Sequence, residues 1–121
     1  MLKAYSHTML YVVDLARAVA WYQDILGFRS RFHIPDTYAS LQHPQLNCRL
    51  DLHPTEAQAA DVGFGPLPYF SVENIEHALA ELDRLGVKHS AILQEGPSPR
   101  FATLWDSEGN ALGLEEAVSR E

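Results

Sequence analysis

Three ionisable residues alternate along one predicted strand. Arg49, Asp51 and His53 are spaced two residues apart, and Leu50 and Leu52 lie between them. Because side chains of a strand alternate between its two faces, the ionisable groups share one face and the leucines share the other. A carboxylate between a guanidinium and an imidazole could orient a histidine that moves protons. The same arrangement could instead be a satisfied ion pair on a partly solvated face.

A second candidate group lies near the N-terminus, where residues 7–12 also alternate. Leu10 and Val12 form an apolar face, and His7 and Tyr11 share the opposite face. An imidazole at this position could ligate a metal ion, act as a general base, or hydrogen-bond a ligand or Asp51. The sequence leaves these roles of His7 open.

The second half of the chain adds Tyr69 and Glu115 to the polar faces of its predicted strands, and Trp105 is a further candidate ligand-binding residue. Aromatic rings mixed with a few ionisable groups are typical of pocket linings. Tyr11, Tyr38, Tyr69 and Trp105 could stack a flat ligand, although some of these rings are expected in the core.

One strand–helix unit, present twice, must position these residues. Residues 7–28 predict a strand, an N-cap at Asp14, a helix with an apolar stripe, and a glycine C-cap at Gly27. The same order returns about sixty residues later, with Asn74 as N-cap and Gly86 as C-cap. An internal repeat of this length predicts two copies of one supersecondary unit.

The rest of the pattern predicts an α+β domain of two βαβββ modules, over residues 1–54 and 67–121, joined by a linker over residues 55–66. One helical turn is expected in the linker, over residues 56–60. In the second module, strands are expected over residues 67–72, 87–93, 100–105 and 111–115.

Composition restricts the partners. The net charge of −7 over 121 residues argues against nucleic acid and does not favour an anionic membrane surface. The single cysteine, Cys48, cannot form an intramolecular disulfide, and no stretch has the length and apolarity of a membrane span. The sequence therefore predicts a cytoplasmic protein.

Three stretches resemble the vicinal oxygen chelate superfamily, which includes glyoxalase I, bleomycin-resistance proteins and extradiol dioxygenases. They read HTMLYVVDLARAVAWYQDILGF, YFSVENIEHALAELDRLGV and FATLWDSEGNALGLEE. The resemblance implies paired βαβββ modules that curve around a cavity, commonly in a homodimer. In metal-dependent members four ligands face the cavity. Carried over to this chain, their positions are His7, Asp51, Leu67 and Gly113.

Leu67 and Gly113 cannot ligate a metal, so the resemblance implies a degenerate site with no metal or a weakly bound divalent one. His53 or Glu115 could supply a donor only if the site shifted by about 6–7 Å along a strand. The favoured hypothesis is a metal-independent protein that binds a small organic ligand, with cationic, antibiotic-like molecules as one candidate class.

The alternative is a divalent-metal-dependent lyase, isomerase or dioxygenase that uses His7 and Asp51. A third hypothesis is a metal-free enzyme with His7 or His53 as its base.

Overall fold

A computed structural model describes residues 1–55, 62–63 and 65–117. The chain divides into two units: unit 1 comprises Met1–Gly65 and Ser107–Asn110, and unit 2 comprises Pro66–Asp106 and Ala111–Glu121. The helical turn expected over residues 56–60 lies outside the described residues.

Unit 1 contains a four-stranded mixed sheet and one helix. Its elements are β1 (Thr8–Val12), α1 (Leu15–Asp24), β2 (Arg29–Ile34), β3 (Tyr38–Gln42) and β4 (Arg49–Pro54). The strand order is β1-β4-β3-β2, with β1 parallel to β4 and the other neighbouring strands antiparallel. This is the βαβββ order that the sequence predicts for the first module.

Helix α1 begins where the sequence predicts. The Asp14 carboxylate accepts a hydrogen bond from the Arg17 amide at 3.0 Å, which satisfies one of the free amides of the first turn. The buried stripe of the helix consists of Leu15, Ala18, Val19 and Tyr22. It packs on the apolar face of the sheet, which leaves the opposite face for the ionisable and aromatic residues.

Unit 2 contains β5 (Tyr69–Val72), α2 (Ile75–Arg84), β6 (Phe101–Trp105) and β7 (Ala111–Glu116). Its three-stranded sheet has the order β5-β7-β6, with β5 and β7 parallel and β6 and β7 antiparallel. Asn74 caps α2 by accepting a hydrogen bond from the His77 amide at 2.9 Å. The predicted α+β class is confirmed. Within the described residues, no helix has the length and apolarity that a membrane crossing requires.

One predicted strand of the second module is wrong. Residues 87–93 form only two isolated bridges, from His89 to Leu104 and from Leu93 to Phe101. The Ser90 hydroxyl, not a backbone carbonyl, accepts the Thr103 amide hydrogen bond at 2.9 Å. A side chain therefore replaces a ladder bond in the middle of the segment, which interrupts the strand.

Candidate functional site

The polar face of unit 1 is centred on the Asp51 carboxylate, whose side chain is 0% exposed. Arg49 donates to both of its oxygens, from Nε to Oδ1 at 2.9 Å and from Nη2 to Oδ2 at 2.8 Å. The Ser40 hydroxyl donates to Oδ1 at 2.8 Å and accepts from Arg31 Nη1 at 3.0 Å, and the Tyr38 hydroxyl donates to Oδ2. We call Tyr38, Ser40, Arg49 and Asp51 the Asp51 cluster.

These contacts fix the charge of the cluster. Burial alone would raise the pKa of Asp51, but hydrogen bonds from Arg49, Tyr38 and Ser40 lower it to about 2. Burial and the bond to Asp51 raise the pKa of Tyr38, so this phenol stays protonated and keeps donating. The Asp51 cluster is therefore a neutralised, hydrogen-bonded ion pair at neutral pH.

The two candidate catalytic histidines, His7 and His53, lie next to the Asp51 cluster but are not part of it. His7 Nε2 lies 3.5 Å from Asp51 Oδ2, and His7 Nδ1 lies 2.8 Å from the Ser6 hydroxyl. His53 Nδ1 lies 2.7 Å from the carbonyl of Pro54. Because a carbonyl only accepts, Nδ1 of His53 carries a proton in this contact.

Four rings cross the sheet of unit 1, one from each strand in the spatial order β1-β4-β3-β2. They belong to Tyr11, His53, Tyr38 and Phe32, and neighbouring ring centroids are 6.0 Å apart. Tyr11 and Tyr38 stand edge-on to His53, at 78° and 79°, whereas Phe32 stacks on Tyr38 at 19°. Tyr11 and Phe32 are 42% and 45% exposed. This ring row is an open aromatic surface on which a flat molecule could stack.

The two family metal positions in unit 1 are not arranged as a metal centre. Both oxygens of Asp51 already accept bonds from Arg49, and the guanidinium charge would repel a divalent cation at the same carboxylate. Within the described part of the chain, no group of three or more His, Cys, Asp or Glu residues is placed to hold a metal ion.

The two family metal positions in unit 2 are equally unsuited. Leu67 precedes β5 and has no donor atom. A Cβ placed on Gly113 would lie 2.4 Å from the Tyr69 ring, so the ring occupies the space that a ligating side chain would need. Neither pair of positions fits a divalent-metal centre, and the metal content of the protein stays a prediction.

Unit 2 has its own cleft, of about 350 Å³. Its lining residues are Tyr69, Glu95, Ser98, Pro99, Phe101 and Glu115. The register of the sheet explains part of this set, since Tyr69 pairs with Gly113, and Phe101 pairs with Glu115, on one face. Trp105 lies on the same strand as Phe101, but it does not line the cleft. Instead, Lys88 Nζ lies 5.2 Å from the centroid of the Trp105 ring.

The structure thus brings the predicted residues together in two groups. His7, Tyr11, Arg49, Asp51 and His53 belong to unit 1, whereas Tyr69 and Glu115 line the cleft of unit 2.

Sequence reasoning missed several residues of these groups. Ser40 had a usable signal, because it lies with Tyr38 and Gln42 on the polar face of an alternating strand. Phe32 had none, because in the sequence it alternates with Arg31 and His33, and an irregularity in the register between Ser30 and Phe32 places it opposite Ser40. Glu95 and Ser98 had none, because they belong to a loop without periodicity.

A model of the Glyoxalase/Bleomycin resistance protein/Dioxygenase superfamily matches residues 4–114. The chain belongs to this superfamily, and the predicted membership of the vicinal oxygen chelate group is confirmed. A search of curated protein sequences found no match.

Solved structures share the fold at low sequence identity. TnmS3, an antibiotic-binding protein from Streptomyces sp. CB03234, is 19% identical with a TM-score of 0.72, over 97% of this chain and 100% of its own. The fosfomycin resistance protein FosX from Listeria monocytogenes is 14% identical with a TM-score of 0.80, over 98% of this chain and 94% of its own. Lactoylglutathione lyase from Agrobacterium tumefaciens is 16% identical with a TM-score of 0.72, over 96% of this chain and 95% of its own.

Proposed function

We propose that this chain is a metal-independent small-molecule-binding protein that holds a flat organic ligand against the ring row of unit 1. The observation that carries the proposal is the ring row itself, which spans all four strands and exposes the rings at both ends. Burying aromatic surface against a flat ligand gives a large apolar gain and a preferred ring geometry.

The Asp51 cluster supports a binding role over metal chemistry. A catalytic metal needs open carboxylate oxygens, and those of Asp51 are engaged by Arg49, Tyr38 and Ser40. In this proposal the cluster braces β3 and β4, so that Tyr38 and His53 present their rings in fixed positions. The antibiotic-binding relative TnmS3 shares the fold and is compatible with such a role. Assembly as a homodimer and a cytoplasmic location remain predictions.

One observation favours the alternative, a divalent-metal-dependent lyase, isomerase or dioxygenase. His7 Nε2 and Asp51 Oδ2 are 3.5 Å apart, so a metal that displaced Arg49 would find two family ligands together. A metal-free enzyme with His7 or His53 as base would need no such displacement. Both hypotheses require turnover, whereas the binding proposal does not.

Binding of 7-methoxycoumarin, a flat neutral fluorophore, tests the proposal. We expect saturable binding in EDTA, and about fivefold weaker binding in Tyr11→Leu and in Phe32→Leu, because each change removes one stacking ring. Fluorescence titration gives the dissociation constants. Tyr5→Leu is the matched control, since Tyr5 is 79% exposed and outside the ring row.

Two results would contradict the proposal. The first is equal weakening by Tyr5→Leu and the two ring-row variants, which would mean that the dye binds nonspecifically. The second is binding that EDTA abolishes and a divalent metal restores.

A further inference from the structure

We infer that the cleft of unit 2 is a binding site for a small organic ammonium cation, held between the carboxylates of Glu95 and Glu115 and against the rings of Tyr69 and Phe101. This inference goes beyond the ring row of unit 1 and does not depend on what the ring row binds. It rests on the cleft, its uncompensated charge and its aromatic walls, taken together.

The charge of the cleft is not neutralised from within the described residues. Neither the Glu95 nor the Glu115 side chain takes part in an ion pair there. Two other carboxylates of unit 2 are paired, Glu81 with Arg84 and Glu116 with Arg100. Two negative charges that share one concave surface favour a positively charged occupant.

The cation that lies between two cleft residues in the sequence is turned away from the cleft. Arg100 lies between the cleft residues Pro99 and Phe101, but its guanidinium binds Glu116 and Glu76, with Nη2 to Glu116 Oε2 at 2.8 Å. Strand alternation explains this direction, because neighbouring residues point to opposite faces. Among the described residues, Arg100 therefore does not neutralise the two cleft carboxylates.

The aromatic walls select an organic cation. Tyr69 is 48% exposed, and its ring lies directly over Gly113, where any larger residue would displace it. Phe101 contributes the second ring. Ammonium groups bind well when aromatic faces and carboxylates surround them, because the ring faces carry negative potential. A bare divalent metal would find only two carboxylates, and no third His, Cys, Asp or Glu among the described residues is placed to join them.

The loop that carries Glu95 has a defined shape. The Ser98 amide donates to the Glu95 carbonyl at 2.9 Å, and the Glu95 amide donates to the Ser98 hydroxyl at 3.1 Å. These two bonds hold Glu95 and Ser98 at the rim. The volume of about 350 Å³ lies at the small end of ligand pockets, which suits a trimethylammonium or protonated amine head and a short chain.

Titration of the full chain with choline, followed by amide NMR, tests this site. We expect saturable shifts at Glu95, Phe101 and Gly113, and no comparable shifts with 3,3-dimethylbutan-1-ol, which has the same shape without the charge. Glu115→Gln and Glu95→Gln should each weaken choline binding about fivefold. Glu73→Gln is the matched control, because Glu73 is an exposed acid of unit 2 outside the cleft.

Equal shifts from choline and its neutral analogue would overturn the inference, as would equal weakening by Glu73→Gln and Glu115→Gln. Shifts confined to unit 1 would overturn it too. Because 7-methoxycoumarin is uncharged and choline is not flat, failure of one probe leaves the result for the other site intact.

Discussion

Asp51→Asn is expected to lower the free energy of unfolding by about 2–3 kcal/mol at neutral pH. The two side chains have nearly the same shape, so the loss does not come from a cavity. The amide has one acceptor oxygen and one donor nitrogen in a place where Arg49, Tyr38 and Ser40 all donate. Donors would then face a donor in a buried position, and the ion pair with Arg49 would be gone. Urea unfolding of both proteins measures the difference.

The stabilising contribution of Asp51 depends on pH, and its direction follows from the pKa of this carboxyl group. The folded pKa of Asp51 is about 2, below its ordinary value of 3.8, so ionisation stabilises the folded state. That contribution is complete above about pH 4 and is lost as the pH falls towards about 2. The stability gap between the wild type and Asp51→Asn should therefore narrow over the same range. Asp24→Asn, at an exposed position, should change stability by less than about 0.5 kcal/mol. If the wild type and Asp51→Asn have the same free energy of unfolding at pH 7, the Asp51 cluster does not stabilise β3 and β4 as proposed.

Glu108→Ala is expected to lower the free energy of unfolding by about 2–3 kcal/mol. Glu108 belongs to the turn Ser107–Asn110, which is part of unit 1, and its side chain is 0% exposed. Its Oε1 accepts the amides of Val13 at 3.0 Å and Asp14 at 2.8 Å, at the start of α1. Alanine would leave both amides unsatisfied and would remove a negative charge from the helix N-terminus. Thermal or urea unfolding measures the loss.

Arg17→Met separates the two contributions of Glu108. Arg17 Nε donates to Glu108 Oε2 at 2.7 Å, but the Arg17 side chain is 55% exposed. An exposed ion pair contributes little, so Arg17→Met should destabilise unit 1 much less than Glu108→Ala. If the two variants are equally destabilised, the ion pair rather than the capped amides would account for the effect.

Strand and helix positions were predictable where the side-chain period was clear. The alternation of Arg49, Asp51 and His53 predicted that these residues share one face, and they do share it in the structure. The caps at Asp14 and Asn74 were also predictable, because each comes directly before a 3.6-residue apolar stripe. Such features depend only on residues that are close in sequence, so they can be predicted from one chain.

Features that depend on strand pairing were not predictable from the sequence. The partners of Asp51 include Tyr38 and Ser40 on β3, whose position is set by a register that no local pattern encodes. The cleft of unit 2 depends on loop residues such as Glu95, and a loop has no side-chain periodicity from which its shape could be predicted. The expected strand over residues 87–93 failed because the Ser90 hydroxyl competes with the backbone.

The absence of a resident metal is the central claim of the proposed function, and the metal content of the untagged protein tests it most directly. Elemental analysis after purification without chelator, followed by titration with nickel, zinc, iron(II) and manganese, should give far less than one equivalent per chain. His7→Ala should leave that value unchanged. A stoichiometric metal that disappears in His7→Ala would contradict the proposal, and would establish a metal centre on His7 with Asp51 released from Arg49.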